Sequence, residues 1–105
     1  MNYRFHHEAL AEAEHAAEWY SRQRPGLGGD FSNELERSVR DILTLLERLP
    51  RLESAPQKVD VRRILMNRFP YKVIFEIVND EVVILAVAHG SRQPNDWLKR
   101  RSPSK

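Results

Sequence analysis

The sequence of 105 residues contains no cysteine and no long apolar run. Without cysteine, neither a disulfide framework nor a thiolate metal site can form. No apolar segment approaches the roughly 20 residues that a membrane-spanning helix needs. The N-terminus has no signal-peptide core, and the histidines at positions 6, 7 and 15 show no metal-ligand pattern with acidic partners. These absences favour a cytoplasmic protein without a metal ion or cofactor.

The length indicates one domain, which we place at residues 1–101, with a loosely held tail at 102–105. The charge is unevenly distributed along it. Residues 1–50 hold six Lys or Arg and nine Asp or Glu, whereas residues 51–105 hold eleven and six, so the halves carry −3 and +5. A basic half suggests an anionic partner, such as nucleic acid or an acidic protein; the alternative is a soluble surface that is merely lopsided.

The N-terminal half predicts a short strand followed by two amphipathic helices. The strand is the aromatic run at residues 3–6. The first helix has apolar residues at three- and four-residue intervals, at Leu10, Ala13, Ala17 and Tyr20. Pro25 ends it, and a second helix runs from residue 27 or 31 to Leu49, where Pro50 follows. The short connection predicts an antiparallel helical hairpin.

The second half predicts three strands, at residues 59–66, 71–78 and 82–89. A polar turn joins the last two strands as an antiparallel hairpin. The polar run at 95–101 is compatible with a short final helix. The order β-α-α-β-β-β(-α) therefore predicts an α+β fold, with an antiparallel helical hairpin packed on one face of a small antiparallel sheet. Alternation in the last strand places residues 83, 85, 87 and 89 on one face, and both faces are apolar, so the strand is central.

Several cationic side chains fall on or beside the predicted strands. Alternation sends Arg62 and Arg63 to opposite faces of the sheet. Arg68 lies in the following turn, Lys72 lies on the next strand, and Arg92 follows the last one. Strand pairing could gather several of them on one open face, where they would bind phosphates or carboxylates. The alternative is a set of solvated surface cations, each loosely paired with a carboxylate.

The segment AVAHGSRQPNDW at residues 86–97 carries two further candidates, His89 and Trp97. Histidine titrates near neutral pH, so a His at a strand end can act as a general acid or base. Equally, its ring can bond backbone groups of the next turn. The Trp97 ring can stack on a nucleobase or pack against the sheet. The residues alone leave both pairs of alternatives open.

Residues 61–100, VRRILMNRFPYKVIFEIVNDEVVILAVAHGSRQPNDWLKR, resemble toxins of the RelE/ParE superfamily (the plasmid stabilisation protein family). These are the toxin components of bacterial type II toxin–antitoxin systems. The motifs come in the order of the family: an opening strand, a hairpin ending in LERLP, the segment NRFPY, and H-x-x-R-x-P-x-x-W. The resemblance covers nearly the whole chain. It implies the fold described above, a growth-arresting activity and a cognate antitoxin as partner.

The superfamily divides by activity, and the resemblance leaves two molecular functions open. RelE-like members cut messenger RNA on the ribosome, and the resemblance then implies catalytic roles for Arg63, Lys72, His89 and Arg92. The three cations would stabilise the phosphate while His89 moves a proton during attack by the ribose 2′-hydroxyl. Leu98 stands where RelE has a tyrosine. Whether the chain is an enzyme, in which case an endoribonuclease, therefore stays open.

ParE-like members poison DNA gyrase, and the long helical hairpin is more like theirs. In that interpretation the basic face, with Arg62, Arg68 and Trp97, is a binding surface. We expect this ParE-like function, with the ribosome-dependent nuclease as the alternative and a non-toxic RNA-binding or structural module as a third. The antitoxin tail should cover the basic sheet face, its acidic residues meeting Arg63, Lys72 or Arg92, together with the groove of the hairpin.

Overall fold

A computed structural model describes residues 1–53, 55–56, 58–90 and 96–101. The chain begins with strand β1 (Asn2–Phe5), followed by helices α1 (His7–Gln23) and α2 (Leu27–Leu45). A 3₁₀ turn, Leu46–Arg48, extends α2. Then come β2 (Val61–Leu65), β3 (Tyr71–Val78) and β4 (Glu81–His89), and a second 3₁₀ turn at Asp96–Arg100. The predicted order of elements is confirmed, including the short final helix. Residue 95, the first of the polar run, and the tail at 102–105 lie outside the described residues.

The four strands form one sheet in the order β1-β4-β3-β2, so β4 is central, as predicted. Strands β2, β3 and β4 are antiparallel neighbours. Strand β1, however, pairs with β4 in parallel, from Asn2 opposite Glu81 to Phe5 opposite Ile84. The sheet is therefore mixed, and the prediction of a wholly antiparallel sheet is wrong for this pair. Parallel strands need a long connection between them, and the whole helical hairpin and two strands separate β1 from β4 in sequence.

A two-residue turn fixes the register of β3 against β4. Asn79 and Asp80 both have left-handed backbone angles, with φ of 51° and 62°. A tight hairpin turn of this handedness matches the twist of the strands, and Asn and Asp tolerate it better than most residues do. Val78 therefore lies directly opposite Glu81.

A β-bulge in β4 changes which residues face the helices. Ile74 pairs with Ala86 while its neighbour Phe75 pairs with Ile84, which leaves Leu85 as the extra residue. Leu85 and Ala86 consequently share the face away from the helices, and Val87 returns to the helix side. The predicted grouping of residues 83, 85, 87 and 89 on one face is wrong, because a bulge shifts the alternation by one residue.

The sheet has an apolar core on each side. On the helix side, small residues of α1 and large ones of α2 pack on β3 and β4; the buried contributors include Ala9, Ala13, Ala16, Phe31, Leu35, Ile42, Val73, Phe75 and Ile84. This confirms the hairpin packed on one face. A second, smaller core lies on the opposite side, which we call the outer face. It contains Val61, Ile74, Val83, Leu85, Ala86 and Trp97, with Leu52, Ala55 and Val59 packed at its margin.

The two helices approach closely at Gly28, near the start of α2. Gly28 is buried. A Cβ atom there would collide with the Ala17 carbonyl oxygen and the Ser21 side chain of α1. A Cβ at the next residue, Gly29, would meet no atom within 4 Å. The crossing of the hairpin thus requires glycine at residue 28 and not at residue 29.

Side chains supply hydrogen-bond partners for backbone groups of β4 beyond the residues that pair with β1. The backbone N–H of Val87 donates to Glu12 Oε1 at 2.9 Å, and the carbonyl of Leu85 accepts from Arg100 Nη1 at 3.0 Å. Arg100 also binds both carboxylate oxygens of Glu12, at 2.8 and 2.9 Å, and Glu8 at 2.8 Å. Only 9% of the Arg100 side chain is exposed. One ion pair therefore links α1, β4 and the C-terminal 3₁₀ turn.

The close approach at Gly28 predicts opposite effects for two neighbouring substitutions. We expect Gly28→Ala to lower the free energy of unfolding by about 1–3 kcal/mol, the usual cost of overpacking. Gly29→Ala is the matched control and should raise it by about 0.5–1 kcal/mol, because alanine favours the helix. Urea titrations followed by circular dichroism measure both. Equal effects of the two variants would show that the helices do not cross at residue 28.

The Glu12–Arg100 pair predicts a large loss of stability when one partner is removed. Arg100→Met leaves the Glu12 carboxylate without its cation, and we expect unfolding to become easier by about 3 kcal/mol. The control is Arg22→Met, which breaks the Arg22–Glu18 pair on α1, in which 65% of each side chain is exposed. An exposed pair of this kind contributes about 0.5 kcal/mol or less. Losses of similar size in the two variants would contradict a structural role for Arg100.

Candidate functional site: the outer face and the hairpin groove

Arg63 and Lys72 lie together on the outer face. Arg63 is opposite Ile74, a residue of the outer core, and Lys72 is opposite Leu65, two residues along β2. The two cations are therefore diagonal neighbours on adjacent strands. Arg63 is exposed and Lys72 half-buried. Within the described part of the chain neither forms an ion pair, so both can bind an anion. Leu65 lies on the same face, with 60% of its surface exposed.

Arg62 and Arg68, the other strand and turn cations, contact the helical hairpin instead. Arg62 is opposite Phe75 on the helix side, pairs with Asp60 at 2.8 Å and donates to the Leu46 carbonyl at the end of α2. Arg68 lies 3.5 Å from Asp30 in the first turn of α2. As predicted, Arg62 and Arg63 face opposite ways. Arg62 and Arg68 hold the sheet to the hairpin and do not join the pair on the outer face.

Trp97 is buried in the outer core, with 1% of its surface exposed. Its ring packs on β3 and β4 and is covered from the side by residues of the loop before β2. The Nε1 atom has no hydrogen-bond partner among the residues that the structure describes. In this position the ring fills the core and does not present a face for stacking on a base.

His89 lies on the opposite side of the sheet from Arg63 and Lys72. It pairs with Tyr71 across β3 and β4, and the two rings meet edge to face at 5.3 Å between centroids. Together with His15 and Trp19 of α1, His89 lines a shallow cavity of about 330 Å³. Burial raises the pKa of Tyr71 above its ordinary value. The remaining predicted catalytic residue, Arg92, lies outside the described residues.

Besides the Arg100–Glu8 pair, two ion pairs that sequence reasoning missed hold the C-terminal segment. One is Arg100 with Glu12; its hydrogen bond to Glu12 raises the pKa of Arg100, against the opposing effect of burial. The other joins Arg101 to the buried Glu76 at 2.7 Å. The sequence did contain one signal for this pair, the single carboxylate of Glu76 inside an apolar strand. A buried charge needs a partner of opposite charge. The basic run after Trp97 offered several such partners, but its place in the fold could not be read from the sequence.

A groove of about 410 Å³ runs between β1 and the helical hairpin, and we call it the hairpin groove. Its lining is mainly apolar, with two glutamates and a serine; it includes Tyr3, Phe5, Leu10, Ala13, Glu14, Ala17, Ser32, Leu35, Glu36 and Val39. Tyr3 and Leu10 each expose 47% of their surface. The groove is thus an accessible apolar surface bounded by both helices and the edge strand β1.

Neither a metal centre nor a membrane span emerges from the described residues. Across residues 1–53, 55–56, 58–90 and 96–101, no group of three or more His, Asp or Glu side chains is arranged to hold a metal ion. In the same part of the chain, no helix is long and apolar enough to cross a membrane.

Comparison with known proteins gives two findings. A family model described as "ParE toxin of type II toxin-antitoxin system, parDE" matches residues 3–94. A solved structure titled "Chromosomal ParDE TA system from P. aeruginosa" contains a chain of similar fold, with a TM-score of 0.73 and 18% sequence identity over 85% of this chain and 95% of that one. No curated protein sequence matches. The family match spans most of the sequence, and the fold agrees with it. The chain therefore belongs to the ParE toxin family of type II toxin–antitoxin systems.

Proposed function

We propose that this toxin arrests growth by binding DNA gyrase rather than by cutting RNA. The observation that carries the proposal is the placement of His89 on the helix side of the sheet, while Arg63 and Lys72 lie on the outer face. In a ribonuclease, the proton-transferring group must lie within hydrogen-bond reach of the reacting hydroxyl, and the cations must bind the adjacent phosphate. Groups on opposite faces of a sheet do not meet at one phosphate.

The outer face has the features of a binding surface. Arg63 and Lys72 offer two cations without ion-pair partners in the described chain, and Leu65 adds exposed apolar surface beside them. Charged groups at the rim of an apolar contact steer a partner and fix its orientation. On the same face, Trp97 packs against the sheet, and the Arg101–Glu76 pair fixes the C-terminal segment to β3. These contacts support the surface from which the two cations project.

The family implies a cognate antitoxin as partner, and we propose two sites for its tail. Acidic residues of the tail pair with Arg63 and Lys72 on the outer face, and an apolar stretch occupies the hairpin groove. The exposure of Tyr3 and Leu10 supports the second site, because monomeric proteins rarely leave a contiguous apolar patch uncovered. Covering the outer face would also hide the surface proposed to bind gyrase, which explains neutralisation by occupancy.

Charge reversal on the outer face tests the proposed target. We expect the double variant Arg63→Glu and Lys72→Glu to inhibit supercoiling by purified gyrase about tenfold less than the natural chain, a loss of about 1.4 kcal/mol in binding. His89→Ala, on the other side of the sheet, should inhibit as strongly as the natural chain.

Induced expression without antitoxin provides the cellular counterpart, with bulk translation and DNA integrity followed together. A DNA-damage response that precedes any loss of translation supports gyrase as the target. Early translation arrest with cleavage of messenger RNA between codons, abolished by His89→Ala, would establish the nuclease instead. Unimpaired growth with confirmed expression would contradict any toxic function.

A substitution in the hairpin groove tests the antitoxin site. We expect Leu10→Glu to raise the Kd of the antitoxin complex about tenfold or more, because it places a carboxylate in an apolar contact. Leu10 is half exposed, so the folded chain should tolerate the change. Ala11→Glu is the control, since exposed Ala11 lies on the same helix but does not line the groove. Titration calorimetry with the cognate antitoxin distinguishes them, and unchanged affinity in both variants would exclude the groove.

A further inference from the structure

The C-terminal segment at residues 96–101, which we call the strap, is held to the domain by a few specific contacts. Trp97 inserts into the outer core. Arg101 pairs with Glu76 of β3. Arg100 binds the Leu85 carbonyl and the carboxylates of Glu8 and Glu12. Both of those carboxylates belong to the N-terminal half of α1, so the contacts of Arg100 depend on the integrity of that part of the helix.

His6 caps the helix that holds the strap. Its Nδ1 atom accepts a hydrogen bond of 3.1 Å from the backbone N–H of Glu8. An N-cap acceptor satisfies one of the free donors of the first turn, and its loss weakens the helix start. The cap requires an unprotonated Nδ1, because a doubly protonated imidazole ring only donates. Protonation of His6 and capping of α1 are therefore mutually exclusive.

The surroundings of His6 are mostly cationic. Its ring stacks on His7, with 4.3 Å between centroids, and Arg4 and Arg100 also act on it electrostatically. Arg4 is itself paired with Glu81 at 3.0 Å, and Glu8 supplies the opposing negative charge. Burial, and then the proximity of His7, lower the pKa of His6 below the ordinary value of 6.5. At neutral pH the ring is thus neutral and serves as the cap.

We propose that the strap is an acid-released clasp with His6 as its sensor. As the pH falls, His6 takes up one proton at Nδ1, the N–H of Glu8 loses its acceptor, and the first turn of α1 frays. Glu8 then no longer holds Arg100 in place, the second turn that carries Glu12 loses support, and the new positive charge repels the guanidinium. Trp97 leaves the outer core, where its N–H has no partner among the described residues, and gains one from water.

The direction with pH follows from linkage. A group whose pKa is lower in the closed state takes up its proton more readily in the open one, so protons favour opening. The opening equilibrium therefore begins to rise as the pH falls through the ordinary histidine range, and the rise reaches its limit below the depressed pKa of His6. Release would alter the outer face that carries Arg63 and Lys72, but the structural change does not depend on the proposed target.

Fluorescence of Trp97 provides the test, because the chain contains only two tryptophans. Replacing the exposed Trp19 by Phe leaves Trp97 as the sole reporter. We expect acrylamide quenching of Trp97 to rise between pH 7.5 and pH 5.5, with the opening equilibrium increasing roughly fivefold, the change expected from loss of a typical N-cap. In His6→Asn the cap is kept by a side chain that does not titrate, so quenching should stay constant. His7→Asn is the control and should retain the pH response.

Far-UV circular dichroism separates release of the strap from unfolding. Loss of no more helix than the first turn of α1 during the rise in quenching supports the proposal, and parallel loss of helix across α1 and α2 would overturn it. An equal response in His6→Asn, or no response in the parent, would also overturn it. Hydrogen exchange of the Val87 amide, which donates to Glu12, gives a second readout without replacing Trp19. After correction for intrinsic exchange, its protection should fall with pH in the natural chain and not in His6→Asn.

Discussion

The bidentate pair between Glu12 and Arg100 is the interaction on which the rest of this structure depends. β1 covers only the first four residues of β4. Beyond that point the sheet has an open side, and unpaired backbone groups there would be costly to bury. The Glu12 carboxylate accepts the Val87 N–H, and the Arg100 guanidinium binds the Leu85 carbonyl. Two side chains from opposite ends of the chain thus replace the missing strand.

The Glu12–Arg100 pair affects both sides of the sheet. It draws the C-terminal strap across the open side of β4, so that Trp97 covers the outer face and forms a second core. A buried ion pair is costly to desolvate and stabilises only where further hydrogen bonds satisfy its members. Here Glu12 and Arg100 also form hydrogen bonds with the backbone of β4, which explains why two charged groups can be buried at this position. The same arrangement makes the strap depend on α1 and hence on its histidine cap.

The bulge in β4 determines which side of the sheet His89 faces. With regular alternation throughout β4, residue 89 would face away from the helices, on the side of Arg63 and Lys72. The extra residue at Leu85 turns His89 to the helix side, beside Tyr71. The cations are left as an open surface beside exposed Leu65, which suits docking. One inserted residue thereby places His89 and the two cations on opposite faces of the sheet, which supports the proposal of a toxin that acts by binding.

The sequence by itself determined the features that depend on neighbours along the chain. The apolar spacing in α1 and α2, the breaks at Pro25 and Pro50, and the polar turn between β3 and β4 identified the helices and the hairpin. Helix periods and tight turns are local properties of the chain. Alternation also correctly sent Arg62 and Arg63 to opposite faces, and the motif order identified the family. Only the tertiary structure decided the parallel pairing of β1, the bulge at Leu85 and the partners of Glu12 and Glu76. Each of these features depends on residues far apart in sequence. They are stabilised by burial and by hydrogen bonds to buried backbone groups, and no local sequence pattern reveals which residues will meet.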